Sequence, residues 1–300
     1  MSTVRFAALG DSITEGVGDP VPAGWRGWAA VLAPSLADGP VEFRNLADSG
    51  ALSNDLIGVQ LPAALALRPH YAAVLIGGND TLRAGFDIAR TAGHLDTALA
   101  ALTAQGATVL TACLPDPGRL LRLPRPLARP LARRMRAVNT VVHALSARHG
   151  AAHLHLAELP WLTERALLSV DRLHPSAAGH HLIARDFHAL LTASGHRLGP
   201  APAPTTAAAA PGFVADLRWM ATQGTRWMAA RCTDLLPGLL ALAATETAHL
   251  LAGTAGRLDA RAAERTAAAL DLPRPLPPQR SAGVRTAAPL RHAEEPKRSA

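Results

Sequence analysis

Four short polar blocks hold side chains suited to acyl-transfer chemistry: Gly10-Asp11-Ser12, Asp48-Ser49-Gly50, Gly77-Gly78-Asn79-Asp80 and Asp171-Arg172-Leu173-His174-Pro175. Acyl transfer needs a nucleophile, a base to take its proton, a group to orient that base, and donors for the oxyanion. Ser12 is the candidate nucleophile. His174 is the candidate base, and Asp171, three residues earlier, can accept a hydrogen bond from one imidazole nitrogen while the other faces the serine. Gly50 lets a backbone N–H approach a ligand without a side chain in the way. Asn79 can aim its amide at the same point, and Ser12 adds its own N–H. Asp11, Gly78 and Asp80 flank these groups and are read as supporting residues. Each block alone also reads as ordinary turn chemistry. Ser12-Ile13-Thr14-Glu15 in particular fits a capping box, in which a hydroxyl and a carboxylate satisfy free donors at a helix start.

The elements that must position these groups alternate from Thr3 to about Leu191. Val4–Leu9, Val41–Ala47, Tyr71–Gly78, Ala107–Cys113 and Ala152–Leu159 are apolar runs of strand length. Helical patterns cover Asp87–Gln105, Leu127–His149 and Ser176–Leu191, each followed within a few residues by a glycine stop. Strands separated by helices imply a parallel sheet covered on both faces. Ligands of such sheets bind beyond the carboxyl ends of the strands, and the first three polar blocks follow the first three strands. Between the fourth strand and its helix, Pro115–Pro130 reads as a Pro/Arg-rich loop.

The chain has 300 residues, is 49% hydrophobic and only 4% aromatic, so its core must rest on Ala, Leu and Val. The formal charge is +7, carried almost wholly by Arg, since Lys297 is the only lysine. Scattered solvent-exposed Arg is the plainer reading of that charge, and no nucleic-acid partner is expected. Cys113 and Cys232 form no disulfide framework. His149, His153 and His155 cluster in sequence, with His153 and His155 on one strand face, but no further ligand group is spaced convincingly beside them. No metal or cofactor is expected, and neither a phosphate-binding Gly-rich loop nor a GxSxG elbow is present. The N-terminus shows no secretory segment, so the expected location is cytoplasmic. The apolar window Leu235–Gly253 contains Pro237, Glu246 and His249, which a membrane span would rarely carry.

The expected organisation is a catalytic domain over residues 1–198, an Ala/Pro-rich linker over 199–211, an amphipathic helical extension over 212–270, and a basic disordered tail over 271–300. RWMA occurs twice in the extension, at Arg218 and Arg226, eight residues apart and close to two helical turns. That helix is read as docking on the core or on a partner.

Taken in order, GDSIT, NLADSG, GGND and DRLHP resemble the SGNH hydrolases, also called GDSL esterases and lipases. The Ser, Gly, Asn and His of that name correspond to Ser12, Gly50, Asn79 and His174, and the run Gly16–Ala29 resembles actinobacterial members. The resemblance spans about Thr3–Leu191. It implies a three-layer α/β/α, flavodoxin-like domain that hydrolyses small-molecule esters through an acyl-enzyme, with Ser12, His174 and Asp171 as triad. Ser12, Gly50 and Asn79 would form the oxyanion hole. An acyltransferase with the same triad, or a binding protein with a vestigial site, are the alternatives.

Overall fold

The computed structural model describes residues 3–158, 164–203 and 225–271, with side chains from residue 237 onward in the last segment. Strands β1 (Val4–Gly10), β4 (Val41–Asn45), β5 (Tyr71–Leu75), β6 (Thr108–Ala112) and β7 (Ala152–Leu154) form one parallel sheet in the order β4-β1-β5-β6-β7. A small exposed hairpin of β2 (Pro20–Val21) and β3 (Gly24–Trp25) lies apart from it. With the hairpin set aside, the order is the flavodoxin-like one, with β1 at the switch point where connections reverse direction. The fifth strand is shorter than its apolar run: the chain leaves the sheet after Leu154 and turns into a 3₁₀ segment at Leu156–Glu158.

The period of two along the central strands sorts the core into two layers. Ala7, Leu9, Ala72 and Val74 point to one side, under α4 (Leu61–Leu67), α5 (Ile88–Ala104) and α7 (Arg125–His149). Phe6, Ala8, Tyr71, Ala73 and Leu75 point to the other, under α2 (Gly27–Leu32) and α8 (Ala177–Ala193). Small alanines in mid-sheet let the helices approach closely. The few large side chains fill what remains, as where Trp28 stacks on Phe187 at 4.8 Å.

One local expectation needs correction. Pro115–Pro130 is not one loop: α6 (Pro117–Leu120) and the first turn of α7 lie within it, and Pro130 sits inside α7. Proline is compatible with the start of a helix, where backbone donors have no intrahelical acceptor. Pro130 lies past that point, but Pro130 and Leu131 are both buried, and that packing holds the helix through it. Between β4 and β5, α3 (Ser53–Asp55) runs through a π-helical stretch at Leu56–Gln60 into α4, a helical segment that the sequence reading did not list.

Beyond the sheet, Gly199 is held by Ser35 and His188. Two further helices, α9 (Thr225–Leu251) and α10 (Ala255–Asp271), pack against α7, and α10 also against α5. The two RWMA copies fall outside the side chains described. No helix among the described residues is long and apolar enough to cross a membrane. At the contact, Glu246 is 1% exposed and lies 2.8 Å from Arg133 and 3.1 Å from Arg129, while Asp259 meets the same arginines at 2.7 and 2.9 Å. Removing one partner of such a pair strands a buried charge. Arg133→Ala is therefore expected to cost about 3 kcal/mol, the low end for a buried pair because Arg129 stays beside Glu246. Adding Glu246→Leu should restore most of that loss in urea unfolding. Equal stability of wild type and Arg133→Ala would contradict it.

Candidate active site

Ser12 stands where β1 ends. Gly10, at φ +155°, makes the turn: a Cβ there would lie 2.3 Å from the Leu75 carbonyl oxygen. The following α1 (Ser12–Glu15) is capped by Asp11, whose Oδ1 accepts from the Ile13 N–H at 3.2 Å. The capping-box reading of Ser12 is thus corrected. Asp11 does the capping, Glu15 instead accepts from the Ser49 hydroxyl, and Ser12 Oγ is left for another partner.

That partner is His174. The loop after the 3₁₀ segment Arg165–Leu167 bends so that Asp171 Oδ1 accepts from the backbone N–H groups of Leu173 (2.9 Å) and His174 (3.0 Å). Its Oδ2 lies 2.7 Å from His174 Nδ1, and His174 Nε2 lies 2.7 Å from Ser12 Oγ. A carboxylate can only accept, so Nδ1 carries the proton, and Nε2 of the neutral ring accepts from the serine hydroxyl. Burial alone pushes the Asp171 pKa up, but its hydrogen bonds from His174 and Leu173, and the positive charge that His174 carries when protonated, together bring it below the usual carboxylate value. His174 is 7% exposed, which shields the relay from solvent. A second contact sets the height of its loop: Gly18, at φ +104°, passes so close that a Cβ would lie 2.0 Å from the Pro175 carbonyl oxygen.

Asn79 lines the same cleft as Ser12 and His174, with Gly78 and Asp11 beside it. Its Nδ2 donates to the Ala51 carbonyl at 3.2 Å, which ties it to the turn containing Gly50, itself at φ +87°. Asp80 holds that turn from below, accepting from the Ser53 N–H at 3.0 Å and the Ser53 hydroxyl at 2.6 Å. Gly50 thus sits one residue before the Ala51 carbonyl that Asn79 contacts.

Three positioning side chains escaped the sequence reading. Gln60, from the π-helical stretch, accepts from the Gly10 N–H (2.8 Å) and donates to the Gly10 carbonyl (2.9 Å), clamping the strand end that carries Ser12. Asn139 does the same for Leu114 on the cleft wall, at 2.8 and 2.7 Å. Arg134 donates to the Thr81 and Arg83 carbonyls, both at 2.8 Å, and so fixes the segment after Asn79. His180 is structural: it accepts from the Trp28 N–H at 3.2 Å and donates to Val17 at 3.0 Å. His149 is bound to Asp96 at 2.6 Å and leaves the histidine cluster expected from the sequence.

Asp11 carries a pH-dependent cost. Burial pushes its pKa from 3.8 up to about 6, against the lowering effects of the Ile13 N–H and His174, with Asp80 raising it further. Between those values the folded chain holds a proton that the unfolded chain has released, so stability falls as pH rises through this window. The full cost above it is about 3 kcal/mol. Asp11→Asn keeps a capping oxygen and removes the charge. Its melting temperature relative to wild type should therefore rise between about pH 4 and pH 7 and then level off. A pH-independent difference would contradict the burial argument.

The GDSL-like lipase/acylhydrolase family profile matches residues 8–182. No curated relative matches by sequence. Among solved structures, the chain is similar to the lipase/acylhydrolase from Enterococcus faecalis, at 23% identity over 67% of this chain and 100% of that one, with TM-score 0.51. It is similar to TesA at 26% identity over 63% and 98%, TM-score 0.50. It is also similar to the acetylxylan esterase Axe2 from Geobacillus stearothermophilus, at 19% over 63% and 94%, TM-score 0.50. With the profile spanning more than half of its length, the chain belongs to the GDSL-like lipase/acylhydrolase family of ester hydrolases.

Proposed function

We propose that the chain hydrolyses carboxylic esters through an acyl-enzyme formed on Ser12. The observation that carries this reading is the aligned Asp171–His174–Ser12 chain, with both of its side-chain contacts at 2.7 Å. Ser12 Oγ attacks the acyl carbon as His174 Nε2 takes its proton. The oxyanion of the tetrahedral intermediate is met by the N–H groups of Ser12 and Gly50 and by the Asn79 amide. His174 then protonates the leaving alcohol, which departs as the C–O bond breaks. Water repeats the sequence on the acyl-enzyme, giving the carboxylic acid and free Ser12. Asp171 holds the imidazole in the required tautomer and stabilises its cation. An alcohol in place of water would make the same site an acyltransferase, a difference that product analysis with added acceptors reads directly.

The cleft around Ser12 is small, about 70 Å³, and walled by apolar groups such as Ile13, Leu82 and Leu173. It suits a short acyl chain. Across Leu114, Pro115, Leu120 and Met135 it adjoins a wider cavity of about 270 Å³ whose lining includes Arg119, Arg122 and Arg136, with Asp116 the one acid among the described lining residues. The clustered guanidinium groups favour a substrate with an anionic group on its far side. Short-chain chromogenic esters test the activity, with active-site labelling by a fluorophosphonate located on Ser12 by mass. Esters bearing a carboxylate or phosphate beyond the scissile bond should show a KM about tenfold lower than neutral analogues at low ionic strength, with the gap closing as salt is added. Labelling elsewhere, or no ester turnover, would end the reading. Equal KM values would remove only the anionic preference.

A further inference from the structure

At the β7 edge of the sheet, Cys113, His153 and His155 each place a ligand atom within 4.8 Å of the others, the one such group among the described residues. The sheet brings them together. Thr111 pairs with His153 and Ala112 with Leu154, so Cys113 and His155, one step past their strands, fall by alternation on the same face as Thr111 and His153. Ala112, Ala152 and Leu154 face the opposite core. From α7 above, His143 brings a third imidazole, its ring 5.2 Å from His153 and 5.4 Å from His155.

The hydrogen bonds under this cluster fix which nitrogen of His153 is free. Ser146 Oγ lies 2.6 Å from the Val142 carbonyl, a pure acceptor, and so gives it its only proton. Thr111 Oγ1, 2.7 Å from Ser146 Oγ, must then donate to Ser146. Neither hydroxyl has a proton left for His153 Nδ1, which lies 3.0 Å from Thr111 and 3.2 Å from Ser146. Nδ1 is therefore the donor, and the lone pair of Nε2 points at Cys113 Sγ, 3.1 Å away. A ring nitrogen anchored by a neighbouring oxygen while the other is presented as a lone pair is how metal-binding histidines are oriented.

We propose that Cys113, His153 and His155 bind a divalent ion of the zinc class, with a fourth position open to solvent beside His143. A thiolate and two imidazoles suit this borderline-soft ion, whose bonds of about 2.3 Å to sulfur and about 2.0 Å to nitrogen set S and N about 3.5 Å apart in a tetrahedron. The 3.1 Å Cys113–His153 contact needs only a few tenths of an ångström of opening. Binding breaks the S–H bond, forms the S–metal bond, and releases the proton to solvent. The exposed His155 and His143 leave an entry path. The ion would fasten β6 to β7 one residue before Leu114, on the wall of the cleft, and so act as a clamp and not as a reactant.

The full chain should take up one equivalent of Zn²⁺ in equilibrium dialysis and should melt at a higher temperature with the ion than with a chelator. Co²⁺ should give tetrahedral d–d absorption together with a thiolate charge-transfer band. Cys113→Ser should abolish that band, and His155→Ala, at an exposed position, should weaken uptake by a hundredfold or more while ester turnover persists. No stoichiometric uptake by wild type, uptake without the charge-transfer band, or unchanged affinity in His155→Ala would each overturn the site. Because the dialysis and absorption readouts do not involve turnover, this test stands or falls apart from the esterase reading.

Discussion

Replacing Ser12 by alanine is expected to lower kcat for a short-chain chromogenic ester by a thousandfold or more, with the melting temperature almost unchanged. The kinetic part follows from what the change removes. Without Oγ no acyl-enzyme forms, and what survives is water attack assisted by oxyanion contacts and binding. The stability part follows from where Ser12 stands. Its hydroxyl contacts His174 Nε2, while the helix cap is supplied by Asp11 and the strand end is held by Gln60. Losing one partly buried hydrogen bond costs about 1 kcal/mol. Groups that act as a unit are not additive, so Ser12→Ala/His174→Ala should be scarcely slower than either single variant. A Ser12→Ala enzyme retaining near wild-type kcat would show that the nucleophile lies elsewhere. A further loss of a thousandfold in the double variant would show that His174 serves a separate step.

The sequence carried the sheet and the polar blocks because both are local patterns. Apolar runs such as Tyr71–Leu75 bury on both faces, and a polar block at the end of a run must emerge at a sheet edge. The Asp171–His174 pairing was equally legible, since three residues in a tight turn suffice to bring carboxylate and imidazole together. The clamps were not legible, because each joins distant segments. Gln60 reaches Gly10 across 50 residues, and Asn139 reaches Leu114 across 25. Both solve one physical problem. At the carboxyl end of a strand the ladder gives out, and the buried N–H and C=O groups there need further partners; the Gly10 carbonyl also accepts from the Asp48 N–H at 3.3 Å. A carboxamide presents an N–H donor and a C=O acceptor side by side, at the spacing needed to replace a missing strand. Function is thus mounted on strand ends that the sheet alone would leave to fray. The Cys113–His153 contact was hidden for a related reason: it depends on β6–β7 register, which neither strand encodes by itself.

Asn79→Ala is expected to lower kcat by about a hundredfold or more with little change in KM, the signature of a contact made mainly in the transition state. The amide is preorganised for that work. One Nδ2 hydrogen is committed to the Ala51 carbonyl at 3.2 Å, which sets the plane of the group and leaves the second hydrogen for an oxyanion. The turn beneath is pinned by Asp80 to Ser53, and the following segment by Arg134 to the Thr81 and Arg83 carbonyls. On the proposed reading the donor would already be in position when charge develops, with no reorganisation required during the reaction. Asn79→Asp separates this account from a steric one. It keeps the volume but replaces donors with an acceptor, so it should be at least as slow as Asn79→Ala. A thermal melt within a few degrees of wild type would show that the loss is chemical and not a collapse of the Gly50 turn. An unchanged kcat in Asn79→Ala would remove this residue from the oxyanion hole. A rise in KM with kcat intact would instead place its contact in substrate binding.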